Sequence, residues 1–188
     1  VSRLSGLTAS DRHRVVASDF GSQAAATADW DAPSPVDGWR ARDVVAHLTG
    51  WFPAFLADGG VRFDAAPSAD DPAAVWSAHS ARVQELFMRD DVEFSHPRVG
   101  TMPLADAVDR FYTADVFMHT WDLAQASGRR PDLDAEFAAQ LLDGLRGMEE
   151  VLRSSGQYGP AKTAPAGADP VMRLAAFIGR DPHFADAR

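Results

Sequence analysis

The sequence predicts an all-α protein, and three observations carry that expectation. Apolar residues recur every three or four positions through six separate segments, the period of one helix face. No stretch sustains the alternation of a half-buried strand. Proline and glycine collect between the segments rather than within them, as connections require.

Each element follows in order. Val15, Val16, Phe20 and Ala24 space a helix over 9–29, with Thr8 or Ser10 available as its N-cap. The next stretch, WDAPSPVDGW, holds two prolines and a glycine and is expected to connect. Val44, Val45, Leu48, Trp51, Phe52 and Phe55 mark a second helix from Arg40 to Ala57, which either kinks at Pro53 or restarts there. Residues 58–71 form a Gly/Asp/Pro-rich loop, and Pro72 suits the first turn of a helix over 72–89. Segment 90–102 reads as irregular, with at most a short extended piece. The longest helix runs from about Pro103 to Ala126 and ends at Ser127-Gly128. Another spans Asp134 to Arg153, a Pro/Gly/Ala loop follows, and a short helix occupies Val171–Ile178.

Composition narrows the function classes. The 188 residues fit one domain, and a chain of this length buries roughly 70% of its unfolded surface without staples. With no cysteine, disulfides, thiolate metal sites and cysteine nucleophiles are excluded. A net charge of −9 disfavours binding to a phosphate backbone. The single lysine beside 17 arginines reflects base composition rather than arginine chemistry. No apolar run reaches a membrane span, and the N-terminus lacks a signal-peptide core. A soluble cytoplasmic protein is expected, acting on a small molecule, with no nucleic-acid or membrane partner. A homodimer is a further expectation that composition does not decide.

The chemistry concentrates in ADVFMHTWDLAQA, 114–126. Asp115 and His119 stand four residues apart, about 40° around a helix, so their side chains converge. Flanked by Phe111, Met118 and Leu123, they are expected to be buried. A buried carboxylate needs a partner, which is either the histidine itself or a cation that both ligate. His47, on the apolar face of the second helix, offers a third ligand. Two histidines and a carboxylate suit zinc with an open position, or nickel, manganese or iron(II). Asp122 and Asp43 are placed to orient His119 and His47 from behind. Trp51, Phe55, Tyr112 and Met118 are candidates for the pocket wall, and Tyr158 for a residue folding over it. His13, His79, His96 and His183 are read as surface or incidental, and Arg129-Arg130 as helix-end charges.

Two blocks carry a resemblance. Gly38-Trp39 through Asp43 to His47-Leu48, and Asp115-x-x-x-His119-x-Trp121-Asp122-Leu123-Ala124, resemble the DinB-like superfamily. More closely, they resemble the metal-binding family related to the N-terminal domain of mycothiol-dependent maleylpyruvate isomerase. Trp30-x-x-Pro33-x-Pro35 and the closing Arg173 to Pro182 add weaker similarity. The resemblance implies a four-helix bundle holding a divalent metal on His47, Asp115 and His119. It implies use of an external thiol such as mycothiol, in transfer to, or isomerisation of, a small electrophile. A metal-dependent hydrolase and a non-catalytic binding protein are the other classes compatible with these residues. The isomerase proper carries Glu at the position of Asp115, and its second, C-terminal domain is not expected within this chain.

Overall fold

The computed structural model describes residues 2–65, 69–150 and 158–184. It is mostly helical. Helix α1 is Ala9–Ala25, α2 Ala41–Asp58 and α3 Pro72–Leu86. Helix α4 is one continuous element built from Leu104–Ala107, a π-helical segment Val108–Thr113 and Ala114–Ala126. Helix α5 is Ala135–Arg146 and α6 Pro170–Phe177. The expected continuation of α5 through 151–153 lies outside the described residues.

Side chains at the helix starts explain most boundaries. Thr8 accepts from the Asp11 amide, Asp71 from Ala73, Asp134 from Phe137 and Asp169 from Met172, each satisfying an orphan N–H. Pro72 and Pro170 occupy first turns, where the missing N–H costs nothing. Helix α2 runs through Pro53 without restarting. Asp134 also ties down the N-terminal segment, accepting from the Arg3 amide at 2.7 Å and from Leu4 at 3.1 Å.

One expectation needs correcting. Glu93–His96 (β1) and Gly100–Pro103 (β2) pair as an antiparallel hairpin, with Phe94 opposite Met102 and Ser95 opposite Thr101. The strands are four residues each, too short for alternation to stand out in the sequence. The hairpin docks on the end of α2, where the Ser95 amide donates to the Gly59 carbonyl at 3.1 Å. A Cβ on Gly59 would lie 1.9 Å from the Phe94 ring, so only glycine lets the hairpin approach this closely.

Helices α1 and α2 each pack against both α3 and α4. Helix α1 contributes His13, Val16, Ala17, Phe20 and Ala24, and α2 contributes Val44, Val45, Leu48, Phe52 and Leu56, the stripe that helical periodicity predicts. Aromatic pairs tie the layers together: Phe52 stacks on Tyr112 at 4.0 Å, and Phe20 meets Trp76 at 4.3 Å. Helix α6 packs on α5, and its Leu174, Ala175 and following Ile178 face Phe117, Met118 and Trp121 of α4. Among the described residues, no helix is long and apolar enough to cross a membrane.

Two histidines read as surface or incidental are core residues. His13 is fully enclosed and His79 nearly so. His13 lies on the buried stripe of α1 beside Phe20, and His79 on that of α3 beside Trp76.

Candidate metal centre

Helix α4 is buried on every side through Ala114–Ala126 except at one residue, Asp115. The gap in its cover is thus at a carboxylate rather than an apolar residue. His47 from α2 closes one side of that opening, its Nε2 3.1 Å from Asp115 Oδ2. His119, one turn along α4, faces the other oxygen, with Nε2 3.5 Å from Oδ1. One ligand atom from each residue lies within 4.8 Å of the others. Around a cation with bonds near 2.1 Å, neighbouring ligand atoms stand about 3.0–3.4 Å apart. Both carboxylate–imidazole pairs already have nearly that separation, so the donor set can close on a divalent cation if the two imidazoles, within 4.8 Å of each other, draw in.

Electrostatics agree with the geometry. Burial pushes the Asp115 carboxyl up. Burial is the largest single influence, and only together do the His119 charge, the His47 hydrogen bond and charge and the Trp51 indole N–H overcome it, so the group stays below its ordinary value. Asp115 is therefore an anion, the form that ligates. Side-chain exposure falls from 31% at His47 through 19% at Asp115 to 6% at His119. A small molecule would approach from the His47 side.

Behind His119 stands Asp122, fully enclosed, accepting from His119 Nδ1 at 2.8 Å. With Nδ1 engaged in that bond, Nε2 is the nitrogen left to give its lone pair to a cation between Asp115 and His47. Arg180 reaches Asp122 from the segment after α6, donating from Nε at 3.1 and 3.2 Å and from Nη2 at 2.9 Å. Burial alone would raise Asp122, but the Arg180 charge and the His119 bond hold it below its usual range.

The other anticipated residues divide. Trp51 sits at the centre, but as a hydrogen-bond donor: its Nε1 gives to Asp115 Oδ2 at 3.0 Å. Tyr112 and Phe55 adjoin it, with ring centres 5.8 and 5.4 Å from Trp51. Tyr158 is near enough to feel the charges of Asp115 and Arg180; burial, reinforced by Asp115, raises its phenol and keeps it protonated. Met118 is not brought to the opening, since it packs against Leu174, Ala175 and Ile178. Asp43 is not brought to His47. Its carboxylate accepts the Arg40 amide at 2.8 Å and caps α2 instead.

Sequence reasoning missed Trp39 and Arg180 as site residues, although both stood in the quoted motifs. Trp39 stacks on His119 at 5.8 Å and 14°, and lies 5.0 Å from His47. Its loop is an ordered turn in which the Trp39 amide donates to the Val36 carbonyl and Gly38 takes φ +74°, as the third position of a type II turn demands. The π-helical segment directly before Asp115 was also unforeseen; such segments often adjoin functional sites.

The sequence profile of the mycothiol maleylpyruvate isomerase N-terminal domain matches residues 16–124, more than half of the chain and all three converging residues. Two curated relatives come from Mycobacterium tuberculosis, "Uncharacterized protein MT0763" of strain CDC 1551 / Oshkosh and "Uncharacterized protein Rv0738" of strain H37Rv. Each is 27% identical over 154 residues, covering 79% of this chain and 83% of the relative. No solved structure matches the chain.

Proposed function

The chain belongs to the mycothiol maleylpyruvate isomerase N-terminal domain family, and from that premise we propose that it is a DinB-like four-helix protein binding one divalent metal, with zinc the first candidate, on His47, Asp115 and His119. Its activity is metal-dependent transfer of a low-molecular-weight thiol of the mycothiol type to a small electrophile, or isomerisation of that electrophile by thiol addition and loss. The observation that carries this reading is the convergence of three ligand atoms within 4.8 Å at the one opening in the cover of Ala114–Ala126.

A divalent cation bound there supplies positive charge that lowers the pKa of a thiol and presents it as the thiolate. The chain's own residues do the rest. Asp122 and Arg180 hold His119, and the Trp51 indole holds one oxygen of Asp115. Trp39 stacks on the His119 ring and borders His47, covering the inner side of the centre. The half-exposed His47 leaves an approach for substrate. Tyr158, kept protonated, is a hydrogen-bond donor for an oxygen developing charge on the electrophile. In the transfer itself, the thiol S–H bond breaks, an S–C bond forms, and the displaced electron pair takes a proton from the surroundings.

The test is thiol dependence. Zinc-loaded protein is incubated with a chromogenic electrophile, with and without a low-molecular-weight thiol. The proposal expects thiol-dependent loss of electrophile above the uncatalysed rate and abolished in Asp115→Ala, with thiol consumed in step if the reaction is transfer and regenerated if it is isomerisation. Turnover that continues without any thiol would identify a hydrolase instead.

A further inference from the structure

Arg180 lies 56 residues beyond the end of the family match, yet its guanidinium makes three contacts with one buried carboxylate. Nε and Nη2 engage Asp122 at 2.9–3.2 Å, and Nη1 donates to the Ile178 carbonyl at 2.9 Å. The planar fork is therefore held at both ends and leaves Asp122 a single orientation. In that orientation Oδ2 accepts from His119 Nδ1 at 2.8 Å. Nδ1 is thereby engaged, and Nε2 is the nitrogen turned toward Asp115 and open to a cation.

The segment carrying Arg180 is itself seated closely. Its backbone amide donates to Ala175 at 2.9 Å, ending α6 in a turn. Gly179 takes φ +93° there, and a Cβ on it would meet the Gly159 backbone at 3.1 Å. Gly159 follows Tyr158, so one close glycine–glycine contact brings Arg180 and Tyr158 to the same side of α4. The Lys162 amide, bonded to the Ala176 carbonyl at 2.8 Å, fastens the loop to α6.

We propose that Arg180 is a positioning residue of the centre: through Asp122 it fixes the tautomer and aim of His119, making the segment 158–180 a working part of cation binding. This rests on the metal reading above. Without the guanidinium, Asp122 keeps no partner opposing His119, and the imidazole loses its set orientation. By linkage, cation binding strengthens the seating of the segment as much as the segment strengthens binding.

Two measurements on the full chain test this. Zinc affinity is read by competition with a chromogenic chelator for wild type, Arg180→Lys, Arg180→Met, His119→Ala and the double variant His119→Ala/Arg180→Met. Arg180→Met should weaken binding about 10–100-fold, with Arg180→Lys recovering part of the loss. In the His119→Ala background, Arg180→Met should cost nothing further. Nitrogen-15 spectra of labelled histidine in metal-free protein, recorded at a pH where the imidazole is neutral, should show His119 protonated on Nδ1 in wild type and mixed in Arg180→Met. Wild-type affinity in a folded Arg180→Met or Arg180→Lys would overturn the proposal. An equal loss with and without His119 would overturn it too. Wild type that binds no zinc would overturn the metal reading, whereas the histidine spectra would still report on Arg180.

Discussion

Trp51 and Asp115 are joined by a single hydrogen bond that holds the centre's carboxylate in place: indole Nε1 donates to Oδ2 at 3.0 Å. The same oxygen faces His47 at 3.1 Å. Because the donor sits on α2 and the acceptor on α4, the bond also sets the spacing across which His47 meets His119. The indole N–H can only donate, and its ring packs against Phe55 and Tyr112.

Trp51→Phe therefore removes the donor while keeping most of the aromatic packing. Zinc affinity should fall about tenfold, the scale of a lost partner behind a ligand. Stability should fall by about 1–2 kcal/mol. Chelator competition and urea unfolding read the two effects separately, and unchanged affinity would count against the role given to Trp51.

Two buried histidines set the behaviour in acid. Burial lowers His13 and His79 from 6.5 to about 4 in the folded chain, against the bond His13 makes with Gln84. Below pH 6.5 the unfolded chain takes up protons that the folded one refuses until about pH 4. Stability is thus full above pH 6.5 and declines as pH falls through that window, by roughly 3 kcal/mol per histidine at most. His79→Phe should flatten the decline measured by urea unfolding between pH 7 and 4.5. An unchanged slope would show that His79 does not contribute.

Tyr112 is wholly enclosed, and its hydroxyl has no hydrogen-bond partner among the described residues. An unsatisfied buried hydroxyl is a cost that phenylalanine avoids. Tyr112→Phe should leave thermal stability unchanged or raise it by up to about 1 kcal/mol. A loss above that, seen by thermal unfolding, would mean the hydroxyl is bonded in solution.

Gly59 sits under the Phe94 ring with an ordinary φ of −88°. Any cost of Gly59→Ala is steric rather than conformational. The displaced ring should destabilise the chain by about 1–3 kcal/mol, with zinc affinity within about twofold of wild type. A neutral substitution in urea unfolding would show that the hairpin moves aside.

The helices were legible because their signals are local. Thr8, Pro72, Asp134 and Gly128 mark boundaries through bonds or dihedrals they make themselves, and the apolar stripes report burial directly. His47, Asp115, His119 and Asp122 were legible as a set because helical spacing puts three of them on one helix. What escaped depends on contacts distant in the chain. Arg180 meets Asp122 across 58 residues, and no spacing rule links them. Trp39 sits in a turn that looked like a plain connection. Asp43 satisfied a pattern for orienting His47, but the nearer Arg40 amide claimed it. Met118 follows the helix face toward α6 rather than the opening. His13 and His79 looked incidental because their burial comes from the α1–α3 packing, which no single segment displays. The hairpin was hidden because four-residue strands are set by docking on Gly59 and not by their own pattern.

On the reading proposed above, His47, Asp115 and His119 hold one divalent cation. The most direct measurement is metal content by elemental analysis, after zinc reconstitution and desalting, of wild type beside His47→Ala and His119→Ala. The account predicts close to one zinc per chain in wild type and a large loss in each variant, with all three proteins folded by circular dichroism. Full zinc retention in both variants would contradict it.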